Sequence, residues 1–203
     1  SITTPHKCLD YASAVHSKKV ETVERFWGVG GAFTYLICPH CGSWFLSPPP
    51  SDDLLSEHYE GYYPNEEYEQ RLKEPITAVE RMRAKETVQV LKKLDCFDEL
   101  NDVLDIGAGC GGFLAALGEL SNVSLSGCDQ NPKSTRFAKQ LFDIELQTGE
   151  VNSLDPKAQS YDLITLWHCF EHVRDPQQTL ADIRPLLRTE GLLLIEVPTP
   201  GFW

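Results

Sequence analysis

Val103-Leu104-Asp105-Ile106-Gly107-Ala108-Gly109-Cys110-Gly111-Gly112-Phe113-Leu114 is the stretch that decides the fold. Residues 102–106 are a short β-branched and leucine run, and Phe113, Leu114, Leu117 and Leu120 follow at helical spacing. Between strand and helix, glycines at 107, 109 and 111 let the backbone approach a ligand and aim helix N-terminal N–H groups at it. Dinucleotide-binding turns use a similar device, and Gly112 leaves a Gly-x-Gly-x-x-Gly reading open. Asp105 separates the two. A carboxylate two residues before the first glycine opposes a pyrophosphate and suits a ligand bearing an ammonium and a sulfonium.

Working outward, residues 123–128 read as a second strand ending at Asp129, about 20 residues past the glycines, where an acid grips both hydroxyls of a ribose. The other reading of Asp129 is a capping acid for the helix that Asn131-Pro132 opens and that runs to Phe142. Residues 144–147, 161–166 and 191–197 supply three more strands. Asp175-Pro176 repeats the cap signature for a helix to Leu187. Upstream, Pro75 suits the first turn of a helix to Leu94 whose apolar positions are Ile76, Val79, Met82, Val90, Leu91 and Leu94. The expected fold is α/β, a Rossmann-like, mostly parallel sheet with helices on both faces.

Val103–Leu114 resembles motif I of class I S-adenosylmethionine-dependent methyltransferases. Gly127-Cys128-Asp129 is similar to the acidic end of their second strand. Tyr161–Ile164 running into Trp167-His168-Cys169-Phe170-Glu171-His172-Val173 resembles their fourth-strand segment, and Gly191–Ile195 their fifth strand. The resemblance covers residues 78–203 and implies methyl transfer from S-adenosylmethionine to a small-molecule or glycan acceptor. It implies that Asp105, Gly107 and Gly109, with Ala108 in the same turn, line the methionine portion of the cofactor, and that Gly111 permits helix packing. Asp129 then binds the ribose, Gln130 flanks the adenine, and Glu150 and Val151 contact its amine and ring. Trp167 and His168 face the sulfonium and the acceptor, with His168 the candidate general base because histidine changes charge nearest neutral pH. Glu171 and His172 brace the loop. A nicotinamide-dependent oxidoreductase on a related sheet and a non-catalytic relative that keeps the fold are the alternatives.

The family's sheet has seven strands, and the sixth and seventh are expected beyond Pro198–Trp203, leaving an edge on which a homo-oligomer could form. Ahead of the α/β pattern, Ser47-Pro48-Pro49-Pro50 marks a boundary, giving an N-terminal subdomain over 1–50, a tyrosine-rich linker or lid over 51–77 with Tyr59, Tyr62 and Tyr63, and the cofactor domain over 78–203. Cys38-Pro39-His40-Cys41-Gly42 has zinc-knuckle spacing. Cys8 is the expected third ligand, and His6 or His16 the fourth, in a zinc-ribbon-like arrangement that also resembles the N-terminal part of some bacterial methyltransferases; the other reading of the pair is a metal-free turn.

Eighteen Lys and Arg against thirty Asp and Glu leave a net charge of −12. Such a surface repels phosphate backbones and acidic membranes, so neither nucleic acid nor a membrane is an expected partner. The N-terminal residues lack the apolar core of a secretory signal, and seven cysteines is an odd number. A cytoplasmic location without a disulfide framework is therefore expected.

Overall fold

A computed structural model describes residues 18–23, 32–39, 42–49, 51, 72–154 and 160–198. The chain divides into two units, Ser1–Pro64 and Asn65–Trp203, and the expected linker over 51–77 straddles that division.

In the first unit β1 (Lys18–Val23), β2 (Ala32–Ile37) and β3 (Trp44–Ser47) form an antiparallel sheet in chain order. Register pairs Tyr35 with Leu46 across β2 and β3, and Tyr35 stacks on Trp44 with ring centroids 5.9 Å apart. Cys38 begins the reversal between them. Its N–H donates to the Ser43 carbonyl at 2.8 Å, its carbonyl accepts from Gly42 N–H at 2.9 Å, and Gly42 turns the chain at φ +74°.

The second unit opens with α1 (Ala78–Lys93). Pro75 does not start it: Thr77 is the N-cap, paired with Glu80 in a reciprocal capping box. The buried stripe also differs from the expected one. Ala84, Thr87, Val88 and Leu91 face inward, at i, i+3, i+4 and i+7. Val79 and Met82, expected on that face, are 48% and 50% exposed. A small residue and a threonine occupy half of the inner stripe, so apolar spacing alone could not locate it.

The remaining strands are β4 (Asp102–Ile106), β5 (Ser124–Asp129), β6 (Leu146–Thr148), β7 (Tyr161–Trp167) and β8 (Leu187–Glu196), all parallel, in the order β6-β5-β4-β7-β8. This is the expected Rossmann-like order, with the chain reversing direction of travel at β4. The helices between them are α2 (Gly112–Gly118), α3 (Pro132–Phe142, capped by Asn131) and α4 (Pro176–Ile183, capped by Asp175). α4 is shorter than expected because its last turn tightens into a 3-10 segment, Arg184–Leu186, around Pro185. β8 starts earlier than expected, at Leu187, with an irregularity in its pairing before Leu192.

Alternation along the strands sorts the core into two layers. Val103 and Leu163 pack under α1 and α2 with Ala84, Leu91, Leu114 and Leu117. Leu104, Ile106, Ile164 and Leu166 face the other way, against Ile183 and Leu186. At the N-terminal ends of the strands Arg188 joins Asp162 at 2.6 Å and Asp102 at 2.7 Å, so one guanidinium ties three strands. Burial alone would raise Asp162, but the Arg188 bond and the backbone N–H groups of Asp102 and Asn101 hold it below the ordinary carboxylate range. Among the described residues no helix is long and apolar enough to cross a membrane.

Candidate active site

The C-terminal ends of β4, β5, β7 and β8 carry the polar residues that the core lacks, at the reversal point where ligands bind in such sheets. On the α1-facing layer the odd-numbered residues of β4 and β7 change from apolar to polar towards this end. Val103 is followed by Asp105, and Leu163 by Thr165 and Trp167. Asp105 and Thr165 are register partners, and Thr165 Oγ1 donates to Asp105 Oδ1 at 2.7 Å. Asp105 is 1% exposed. Burial pushes its carboxyl up to about 7; the Thr165 bond pulls it down, Asp129 pushes it up, Arg83 pulls it down and Glu80 pushes it up.

Above it the chain turns through Gly107, Gly109 and Gly111, all at positive φ. Gly107 and Ala108 both donate to the Cys128 carbonyl, at 2.9 and 3.0 Å, which fastens the turn to β5. A Cβ on Gly107 would stand 2.7 Å from Cys169 Cβ, so the segment after β7 closes directly over the turn. A Cβ on Gly109 would meet nothing within 4 Å. Gly111 lies against Ala138 of α3, 3.1 Å from where its Cβ would be, a close approach in keeping with the packing role the resemblance implies.

Asp129 ends β5, and its two oxygens take different backbone donors. Oδ2 accepts from Gly109 N–H and Oδ1 from Asn131 N–H, each at 2.9 Å. Asp129 is not the cap of α3, a place Asn131 takes through Lys133 N–H; it ties the Asn131 amide to the glycine turn instead. Burial raises its carboxyl, with the Asn131 and Gly109 donors pulling the other way. Next to it Gln130 Nε2 donates to Glu150 Oε1 at 3.0 Å, and Val151 is buried at the start of a 3-10 turn. Strand pairing of Asp129 with Thr148 brings Gln130, Glu150 and Val151 together at one edge.

Trp167 packs on Phe113 with centroids 5.1 Å apart, and the Arg83 guanidinium lies 5.3 Å from the Trp167 ring. Trp167 Nε1 is buried without a hydrogen-bond partner among the described residues. His168, at φ +49°, carries its Nε2 2.9 Å from Glu196 Oε1 and its Nδ1 3.5 Å from Glu171 Oε1. Arg83 reaches the same Glu196 oxygen through Nε at 3.2 Å and Nη2 at 2.9 Å. Burial pushes the Cys128 and Cys169 thiols up to about 12, which keeps both neutral and unreactive near neutral pH.

Sequence reasoning did not single out Arg83, Glu196, Thr165 or Cys169. Arg83 had a signal, since it falls in the middle of α1 where the apolar spacing lapses. Thr165 and Glu196 had one too, as polar residues on apolar strands. Of the four expected zinc ligands only Cys38 is described; His6, Cys8 and Cys41 lie outside the described residues, as do Tyr59, Tyr62 and Tyr63. Among the described residues no group of three or more His, Cys, Asp or Glu gathers to hold a metal ion.

The chain is similar to several known proteins. The chain is 27% identical over 135 residues to malonyl-(acyl-carrier protein) O-methyltransferase of Halalkalibacterium halodurans, covering 62% of this chain and 50% of that protein. It is 30% identical over 105 residues to the ubiquinone biosynthesis O-methyltransferase of Coxiella burnetii, covering 49% of this chain and 44% of that one. It thus spans about half the length of these relatives. Two solved structures share the fold. The plantazolicin methyltransferase BpumL, in complex with a pentazolic desmethylPZN analog and SAH, superimposes with a TM-score of 0.56 at 20% identity, over 70% of this chain and 56% of that one. The amino pentose methyltransferase CalS10 of Micromonospora echinaspora, with SAM bound, gives 0.55 at 17% identity, over 66% and 57%. Residues 68–202 match the methyltransferase domain, and the chain belongs to that family.

Proposed function

We propose that this chain binds S-adenosylmethionine across the glycine turn and transfers its methyl group to a small-molecule or glycan acceptor. One observation carries the reading: Asp129 holds the Gly109 amide while the Gly109 Cα opens onto empty space, a cradle that a side chain would fill. The other residues fit the same ligand. Thr165 takes one oxygen of Asp105 and leaves Oδ2 for an ammonium. Each Asp129 oxygen keeps a lone pair after accepting its backbone N–H, enough for two ribose hydroxyls. Gln130, Glu150 and Val151 offer a polar edge and an apolar shelf for adenine. The unpartnered Trp167 N–H is a donor awaiting an acceptor.

The bound sulfonium supplies a methyl group that is already activated. What remains for the protein is alignment and exclusion of water. Trp167 and Phe113 wall one side. We read His168 as the general base: with Nε2–H donating to Glu196 at 2.9 Å, Nδ1 is the nitrogen that takes a proton from an acceptor hydroxyl. An oxygen acceptor is further supported by the two O-methyltransferase relatives.

Calorimetric titration with S-adenosylhomocysteine tests the reading, with NAD as control. Micromolar binding of the homocysteine compound alone is expected. Asp129→Ala removes a charged acceptor from the two ribose hydroxyls, at about 1.5–3 kcal/mol each, and should lower that affinity at least 100-fold. Binding of NAD in its place would overturn the assignment.

The N-terminal unit we read as a zinc site formed by Cys8, Cys38, Cys41 and His6 or His16. The backbone bond from Gly42 N–H to the Cys38 carbonyl at 2.9 Å supports this, since a Cys-x-x-Cys-Gly run on a tight turn has the spacing of a knuckle. Elemental analysis of the purified chain should find one zinc per molecule, and the Cys38→Ser chain should carry much less. A metal-free wild-type chain would refute it.

A further inference from the structure

Glu80 belongs to α1, ahead of the first strand of the sheet, yet its carboxylate lies against Gly112, the first residue of α2. A Cβ on Gly112 would stand 2.4 Å from the Glu80 carboxyl group, too close for any side chain. Oε2 of the same carboxylate accepts from Thr77 N at 2.7 Å and Thr77 Oγ1 at 2.9 Å, closing the capping box of α1. α2 has no comparable device of its own. Its N-cap is Gly111, at φ +77°, with no side-chain cap bond. A single anion thus stands at the starts of two helices, where the positive end of each backbone dipole favours it. One of those starts is the end of the glycine turn.

We infer that Glu80 is the positioning residue for the glycine turn, setting the affinity for S-adenosylmethionine without touching it. Its carboxylate fixes the entry to α2 from outside the turn, while Asp129 fixes Gly109 from the other side. The turn is held between the two. This account explains two sequence features together. Gly112 is glycine although its φ is not in the left-handed region, because the space a side chain needs is taken by Glu80. Thr77 and Glu80 form a reciprocal box because the carboxylate must be held in one rotamer to reach across. The cofactor part of this inference rests on the proposed function; the mechanical part does not.

The test uses Glu80→Ala, Glu80→Gln and Gly112→Ala in the full chain. In hydrogen exchange without ligand, the segment from Gly109 to Leu114 should exchange at least tenfold faster in Glu80→Ala. KM for S-adenosylmethionine should rise about tenfold while kcat at saturation stays within about twofold, the split expected when only ground-state binding is lost. Glu80→Gln, which keeps an oxygen for Thr77, should recover part of the affinity. Gly112→Ala should match Glu80→Ala, and the double variant should be no worse than either, because both remove one contact. Unchanged exchange in Glu80→Ala, or additive losses in the double variant, overturn the inference. Faster exchange in a chain whose wild type binds no S-adenosylhomocysteine upholds the mechanical link and sinks the proposed function alone.

Discussion

Asp105→Asn is expected to stabilise the ligand-free chain at pH 8 and to weaken S-adenosylhomocysteine binding by 10- to 100-fold. Both follow from burial. The folded carboxyl sits near 7 and an exposed aspartate near 4. Between those values the folded chain holds a proton that the unfolded chain has released. Stability therefore falls as pH rises from about 4 to about 7 and levels off above, by at most roughly 4 kcal/mol for a gap of about three pH units. An asparagine never ionises, keeps an oxygen for the Thr165 hydroxyl and removes that slope. In the proposed complex the same substitution deletes the negative charge that would face the ligand ammonium, a charge-assisted contact worth about 1.5–3 kcal/mol. Denaturant midpoints at pH 5 and pH 8 check the first half. Calorimetry near pH 6.5 in buffers of unlike ionisation heat checks the second, since binding should expel a proton from the wild-type chain and none from the variant. Equal affinity in the two proteins would remove Asp105 from the site.

Gly107→Ala should cost about 2–5 kcal/mol of stability. Its φ of +73° imposes roughly 1–2 kcal/mol on any residue with a Cβ. The new methyl also lands 2.7 Å from Cys169 Cβ and 2.8 Å from its sulfur, an overpacking cost of about 1–3 kcal/mol. Cys169→Ser would not relieve it, because the Cβ is itself in the way. Cys169→Gly should recover the packing part and leave the backbone part. Thermal unfolding of the single and double variants separates the two contributions. A Gly107→Ala chain that melts with the wild type would mean the segment after β7 does not close over the turn.

The sheet was readable because its signals are local. Strand, glycine turn and helix follow within twelve residues from Val103 to Leu114, and Asn131-Pro132 and Asp175-Pro176 mark helix starts by cap chemistry. The face of α1 was not readable, since its inner stripe depends on which side meets the sheet, and Ala84 and Thr87 carry no apolar signal. The candidate site divides the same way. Asp105 and Asp129 stand out as acids at strand ends. Arg83, Glu80, Cys169 and Glu196 acquire their positions from contacts between residues far apart in sequence, the Arg83–Glu196 pair being separated by 113 residues. Only the folded sheet supplies that proximity.

Alternation along β4, β7 and β8 has a consequence for how such a protein can diverge. Leu104, Ile106, Ile164 and Leu166 point to one layer and decide how firmly the sheet is held. Asp105, Thr165 and Trp167 point to the other, the side on which we propose the ligand binds. Neighbours in sequence thus answer to different selection. A lineage can rework its lower layer for a new temperature, or its upper layer for a new acceptor, and inherit the other half unchanged.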